Sequence, residues 1–207
     1  MITTLTNTVN VLRHHAEGLP LLLLRLYLAP VMIQAGWNKY TGFDDVVQWF
    51  GNPEWGLGLP FPVLLAALAT GAELIGGVLL LVGLLTRLAS VPLMVTMLVA
   101  IFAVHADNGW LAIADPSSWL ADGTLYYDEA VMLSAEKLSA ANSLLDAHGH
   151  YNWLTSSGKF VVLNNGIEFA ATYFIMLFVL LIFGGGRYVS ADWLIARLQG
   201  RARTALR

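Results

Sequence analysis

"LPLLLLRLYLAPVMIQAGWNKY", residues 19–40, is an apolar run long enough to cross a bilayer, interrupted by one arginine, Arg25. A hydrocarbon core about 30 Å thick takes roughly 20 helical residues to span. The stretch 19–38 passes that test, and so do 61–85, 88–105 and 167–185. Composition agrees, because 57% of the 207 residues are hydrophobic and 12% are charged, with a mean hydropathy of +0.64. A water-soluble domain cannot hide so large an apolar share, so the rest of the chain is read with the bilayer as its solvent.

The expected fold is an all-α membrane protein. Residues 1–207 form one membrane domain, an antiparallel four-transmembrane-helix bundle with an extracytoplasmic insert at 106–166, between spans three and four. A cleaved signal peptide fits the first stretch poorly, since Arg25 breaks its apolar core and no small-residue cleavage site follows. Arg13, Arg87, Arg187, Arg197, Arg201, Arg203 and Arg207 fall on one side of the spans, and Lys39, Lys137 and Lys159 on the other. The positive-inside rule then predicts that both termini are cytoplasmic.

This arrangement makes the outer side acidic, with Asp44, Asp45, Glu54, Asp107, Asp115, Asp122, Asp128, Glu129, Glu136 and Asp146 all there. An acidic exterior gives no nucleic-acid footprint. The basic tail "ARLQGRARTALR" (196–207) reads as a topology signal rather than a lipid-binding element. There is no cysteine, so the chain cannot run thiol–disulfide chemistry by itself.

Residues 39–60 read as a turn-rich outer loop carrying interfacial Trp49, Phe50 and Trp55. Within the insert, Val131, Leu138 and Leu145 at heptad spacing predict an amphipathic helix over 128–147, opening on acids and ending at Gly149. Its apolar stripe is expected to pack on the protein's own outer surface.

Ionisable residues inside spans are costly and are therefore functional candidates. With a rise of 1.5 Å per residue, Arg25 lies ~10 Å from the cytoplasmic boundary, Glu73 about 20 Å, Gln34 about 23 Å, and His105 and Glu168 about 26 Å. Gln34, Asn38, Lys39, Glu73, His105, Asn165 and Glu168 thus form one polar layer near the outer leaflet, drawn from all four spans. They predict either an outward-opening polar cavity or an interhelical hydrogen-bond network that holds the bundle together. Gly71, Gly76 and Gly77, with Ala67 and Ala72, would allow close backbone approach around Glu73. Arg25 sits in a lower layer and has two readings, a structural anchor near the cytoplasmic headgroups or a partner for Glu73.

"LRLYLAPVMIQAGWNKYTGF", "GAELIGGVLLLVGLLTRLAS", "AIFAVHADNGW" and "NNGIEFAATYFIMLFVLLIFGGGRYVSADWLI" together resemble the DoxX family of four-helix bacterial inner-membrane proteins. The shared features are the arginine and Gly-x-x-Lys of the first span, the glutamate of the second, the histidine closing the third and the Gly-x-Gly-Arg-Tyr-x-Ser-x-Asp ending. Residues 111–160 fall outside the resemblance, and Gly185 stands where that family commonly has proline. The resemblance implies a multi-pass protein of the bacterial inner (plasma) membrane. It also implies a redox link, since members include the membrane subunit of a thiosulfate:quinone oxidoreductase. Carried over residue by residue, it marks Arg25, Gly36, Lys39, Glu73, His105, Asn165 and Glu168.

Two functions are expected from these features. One is a redox-linked, quinone-interacting subunit of a membrane complex, an oxidoreductase component acting with a partner. His105, Glu73 and Glu168 would be its catalytic residues, and Arg25, Gln34, Lys39 and Asn165 would bind substrate. The other is a non-catalytic scaffold that recruits an extracytoplasmic enzyme through the insert. Either function places the protein against membrane lipid, with a protein partner on the extracytoplasmic face. No flavin or iron–sulfur ligand set is legible, and a lone membrane-level His105 cannot supply a paired-histidine haem site. His148 and His150 in "HGHY" lack a third ligand, so no metal site is expected. Four spans without visible inverted repeats make a poor transporter.

Overall fold

The structure is a computed structural model that describes residues 16–205, with side chains through residue 200. Arg13 and the side chains of Arg201, Arg203 and Arg207, which carry part of the orientation argument, lie outside the described residues. Described residues are helical, apart from loops and two isolated bridges, Ile113 with Leu163 and Asp122 with Tyr127.

Three helices are long and apolar enough to cross a membrane: Gly18–Thr41, Pro62–Val82 and Thr86–Asn108. The fourth apolar helix, Glu168–Phe183, has 16 residues, about 24 Å of rise, and falls short of the roughly 30 Å core by itself. Gly184 ends it, with its N–H on the Leu180 carbonyl and a φ of 79° that other residues rarely adopt.

Internal contacts divide the chain into two compact units, Met1–Leu98 with Tyr173–Arg207 and Val99–Thr172. The first contains α1 (Gly18–Thr41), α2 (Phe43–Gly51), α3 (Pro62–Val82), α4 (Thr86–Val99), most of α8 (Glu168–Phe183) and α9 (Ala191–Ala205). Its core gathers Leu28, Ala29, Met32, Leu80, Ala89, Leu93, Met97, Leu177 and Leu180. On the outer faces of the same helices Leu68, Ile75, Leu88 and Ile175 are 60–65% exposed. Such a surface suits lipid and would be an aggregation hazard in water.

Helices α1 and α3 run antiparallel. Gly36 meets Glu73 and Leu74, Gly77 meets Ile33 and Ala29, and Arg25 reaches Leu80 and Leu81. Of the small residues expected to permit close approach, Gly76 faces Leu93 of α4 and Gly77 faces α1, whereas Gly71 has open space beside it. Helix α3 starts on Pro62 and stops at Gly83 with φ 72°, the usual Pro-first, Gly-last asymmetry.

The turn-rich loop at 39–60 contains a helix, α2, whose first turn holds Asp44 and Asp45 and which buries Phe50. Acids at an N-terminus stabilise so short a helix, and the glycines and prolines around it obscured the signal.

The second unit begins with Ala100–His105 as a π-helix, followed by a 3₁₀ turn at Ala106–Asn108. The amphipathic helix expected at 128–147 is present as α5 (Glu129–Met132) and α6 (Ser134–His148), separated at Leu133 and followed by α7 (Tyr151–Leu154). Asp128 caps α5 by accepting the Val131 N–H. Val131 is fully buried and Leu138 and Leu145 are half-buried, so the stripe faces protein.

Candidate functional site

The buried face of α1 is Arg25, Leu28, Ala29, Met32 and Gly36, a spacing that places Lys39 next on the same stripe. A methyl group at Gly36 would lie 2.7 Å from the Leu74 nitrogen and 3.0 Å from Glu73 Cβ, so glycine lets the two helices close up one turn below Lys39. Across that contact Lys39 Nζ donates to both carboxylate oxygens of Glu73, at 2.9 and 2.7 Å. The Glu73 side chain is 4% exposed and that of Lys39 26%. A buried carboxylate in an apolar helix is tolerable when so paired. Three residues earlier on the same face of α3, buried Thr70 has no hydrogen-bond partner for its hydroxyl within the protein.

Gln34 does not share this stripe. It lies five residues before Lys39, about 140° round the helix, is exposed, and donates to Asn38 on its own helix at 2.9 Å. Matching depth alone could not separate the two faces.

Arg25 is completely buried, and its described partners are backbone carbonyls. One guanidinium nitrogen, Nη1, donates to Leu80 O and Leu81 O at 3.1 and 3.3 Å, and the other, Nη2, to Val189 O at 2.6 Å. The first two lie in the last turn of α3, where the Leu80 carbonyl also accepts the Gly83 N–H. Of the two readings left open by sequence, the anchor is the one observed, although it is held by buried carbonyls and not by headgroups.

Around Arg25 the ending "GGGRYVSADW" does structural work that sequence reading missed. Ser190 caps α9 by accepting the Trp193 N–H at 3.2 Å, and its own hydroxyl donates to Gly186 O at 2.6 Å. The carboxylate of Asp192 reaches across to the start of α4, accepting Leu85 N–H at 2.7 Å and Thr86 N–H at 3.0 Å. The Ser-x-Asp pattern ahead of an apolar run is a helix-start signal, and that could have located this clamp.

The other candidate residues lie in the second unit. His105 Nδ1 is 2.8 Å from Asn165 O. A carbonyl can only accept, so Nδ1 carries the hydrogen and Nε2 is left to exchange a proton. Asn165 adopts φ 58°, and Asn164 Nδ2 donates to Asn108 O and Leu111 O at 2.6 and 2.8 Å. Glu168, half-buried, accepts the Ala112 N–H at 2.9 Å. A methyl group at Gly166 would collide with the backbone of Gly109, Trp110 and Leu111. The "NNGIE" motif thus clasps residues 108–112 with backbone and amide hydrogen bonds. The π-helix ending on His105 is a feature often found at functional sites.

The model of the DoxX family matches residues 20–106. The matched stretch holds Arg25, Lys39, Glu73 and His105, and stops short of Asn165 and Glu168. A protein of Haemophilus influenzae named "Uncharacterized protein" is 34% identical over 98 residues, covering 45% of this chain and 62% of that protein. A Bacillus subtilis protein named "Putative oxidoreductase CatD" is 36% identical over 94 residues, covering 45% of this chain and 66% of that protein. The chain therefore spans less than two thirds of the length of the first and about two thirds of the second. No solved structure matches the chain significantly.

Proposed function

We propose that this DoxX-region membrane protein is the redox-linked subunit of a membrane complex and that its Lys39–Glu73 pair receives the head group of a quinone. The observation that carries the reading is the ion pair itself, a buried carboxylate paired with a lysine whose side chain is partly exposed, within two apolar helices. The relative named as an oxidoreductase supports the same class.

In this proposal the Lys39 ammonium donates to a quinone carbonyl oxygen, and the apolar faces of α1 and α3 accept the ring. Two electrons from a partner protein and two protons convert quinone to quinol. As electrons arrive the oxygen becomes basic and takes a proton from Nζ, and Glu73 stabilises the ammonium form that is restored from water. Arg25 serves the fold, and Gln34 and Asn165 are not required by the chemistry.

The proposal includes four spans, with α8 and its flanks as the fourth, in an antiparallel bundle. Both termini lie on the cytoplasmic side of a bacterial inner membrane, with 106–166 outside. The second reading, a scaffold that recruits an extracytoplasmic enzyme, draws on exposed Trp119, Leu125, Tyr126 and Trp153 in the second unit. Purification from native membranes in mild detergent, with mass spectrometry of co-purifying protein and lipid, separates the two. Quinone retained by the wild type and lost with Glu73→Gln supports the redox subunit. A stable partner without quinone, released by deletion of 111–160, supports the scaffold.

A further inference from the structure

An open cleft of about 960 Å³ lies within the first unit, where α4 begins and α8 ends. Its apolar wall includes Leu21, Leu88, Val179 and Phe183, and its charged lining includes Arg87 and Arg187. Arg87 is exposed, and among the described residues its guanidinium makes one hydrogen bond, from Nη2 to Ile182 O at 3.1 Å. That bond fixes the head of the side chain over the last turn of α8 and leaves most of its five N–H donors available. Gly184 lies beneath it, where its φ of 79° favours glycine.

Arg87 is also misplaced for its own helix. It lies in the first turn of α4, where the exposed backbone N–H groups disfavour a cation and favour an anion. Asp192 lines the same cleft, but its carboxylate is committed to the Leu85 and Thr86 N–H groups. The lining thus carries two acids, Glu17 and Asp192, and two arginines, Arg87 and Arg187, so its formal charges balance. Behind the lining, Thr86 is completely buried, and its hydroxyl has no hydrogen-bond partner among the described residues. The hydroxyl points at Gly185, a lining residue where a methyl group would come within 2.6 Å of it. A cleft that joins an apolar wall to an under-used guanidinium suits an amphiphile with a negative head. Tyr188 and Trp193 beside it are the aromatics expected at the level of lipid headgroups.

We infer that this cleft is a binding site for an anionic phospholipid, with the phosphate on Arg87 and an acyl chain along Leu88, Val179 and Phe183. An arginine guanidinium beside apolar helix surface can hold a lipid phosphate by charge-assisted hydrogen bonds joined to acyl-chain contact. The site is separate from the Lys39–Glu73 pair and does not depend on a redox role for it.

The test is native mass spectrometry of the full chain, delipidated in detergent and titrated with phosphatidylglycerol or phosphatidylcholine, for the wild type and Arg87→Gln. The expected result is phosphatidylglycerol bound at least about tenfold more tightly than phosphatidylcholine, with that preference lost in Arg87→Gln. Equal binding of the two lipids, or a preference unchanged by the substitution, would overturn the site. Glycerol phosphate is added as a competitor. If it displaces the lipid at millimolar concentration, the site takes a soluble phosphate ester and the lipid assignment fails. Should Arg87→Gln not fold, wild-type protein is irradiated with phosphatidylglycerol bearing a photoreactive acyl chain. Label on 85–88 and 179–186 upholds the site, and label confined elsewhere refutes it.

Discussion

Lys39 of α1 grips both carboxylate oxygens of Glu73 on α3, at 2.9 and 2.7 Å, across a helix contact that Gly36 holds close. The pair ties the C-terminal end of α1 to the middle of α3, as Arg25 and the Leu80 and Leu81 carbonyls do near the other end of α1.

Breaking one half of the pair leaves a buried or partly buried charge without its partner. Lys39→Met and Glu73→Leu alone should each cost about 3–5 kcal/mol, while the double substitution should lie near the wild type or above it. Thermal unfolding in a fixed detergent reads this directly. Single variants that melt within about 1 °C of the wild type would show that the pair does not hold the helices.

Arg25 satisfies carbonyls that no other side chain in the described residues is seen to satisfy. Arg25→Ala should destabilise by about 3 kcal/mol or more, and Arg25→Lys should recover little, since one ammonium cannot serve the Leu80, Leu81 and Val189 carbonyls from a single fork. A lysine variant with wild-type stability would contradict the carbonyl-anchor role.

Asp192→Ala removes the cap from the first N–H groups of α4, and a loss of about 0.5–2 kcal/mol is expected. Hydrogen exchange should accelerate at Leu85 and Thr86 before it does elsewhere in α4. Unchanged exchange there would rule out the cap.

Gly185 has no room for a side chain, because a methyl group there would sit 2.6 Å from Thr86 Oγ1 and 2.8 Å from Ser190 Cβ. Gly185→Ala should cost about 1–3 kcal/mol, and adding Thr86→Ala should restore part of it by removing the nearer atom. Strict additivity of the two changes would argue against this contact.

Hydropathy made three spans legible, because 20-residue apolar runs have few other uses; the fourth expected span, 167–185, is a 16-residue helix that a positive φ at Gly184 stops short of the length needed to cross by itself. Depth arithmetic put Glu73 and Lys39 among the candidates but also admitted Gln34, since depth ignores the roughly 100° turn between residues that decides which face a side chain joins. Arg25 was legible as an anomaly and not by its partners, because backbone carbonyls leave no residue-type signal. The second role of Asp192 was hidden for a related reason: it caps a helix more than 100 residues earlier in the chain. His105 and Asn165 were found as residues, but their contact through a main-chain oxygen could not be read from spacing.

The central claim, that the Lys39–Glu73 pair receives a quinone head group, is tested most directly by photolabelling the purified chain with an azido-quinone and mapping the labelled peptides. The account predicts label on residues 34–41 and 68–77, competed away by unmodified quinone and lost in Glu73→Gln. Label that maps elsewhere, or that excess quinone does not displace, would contradict it.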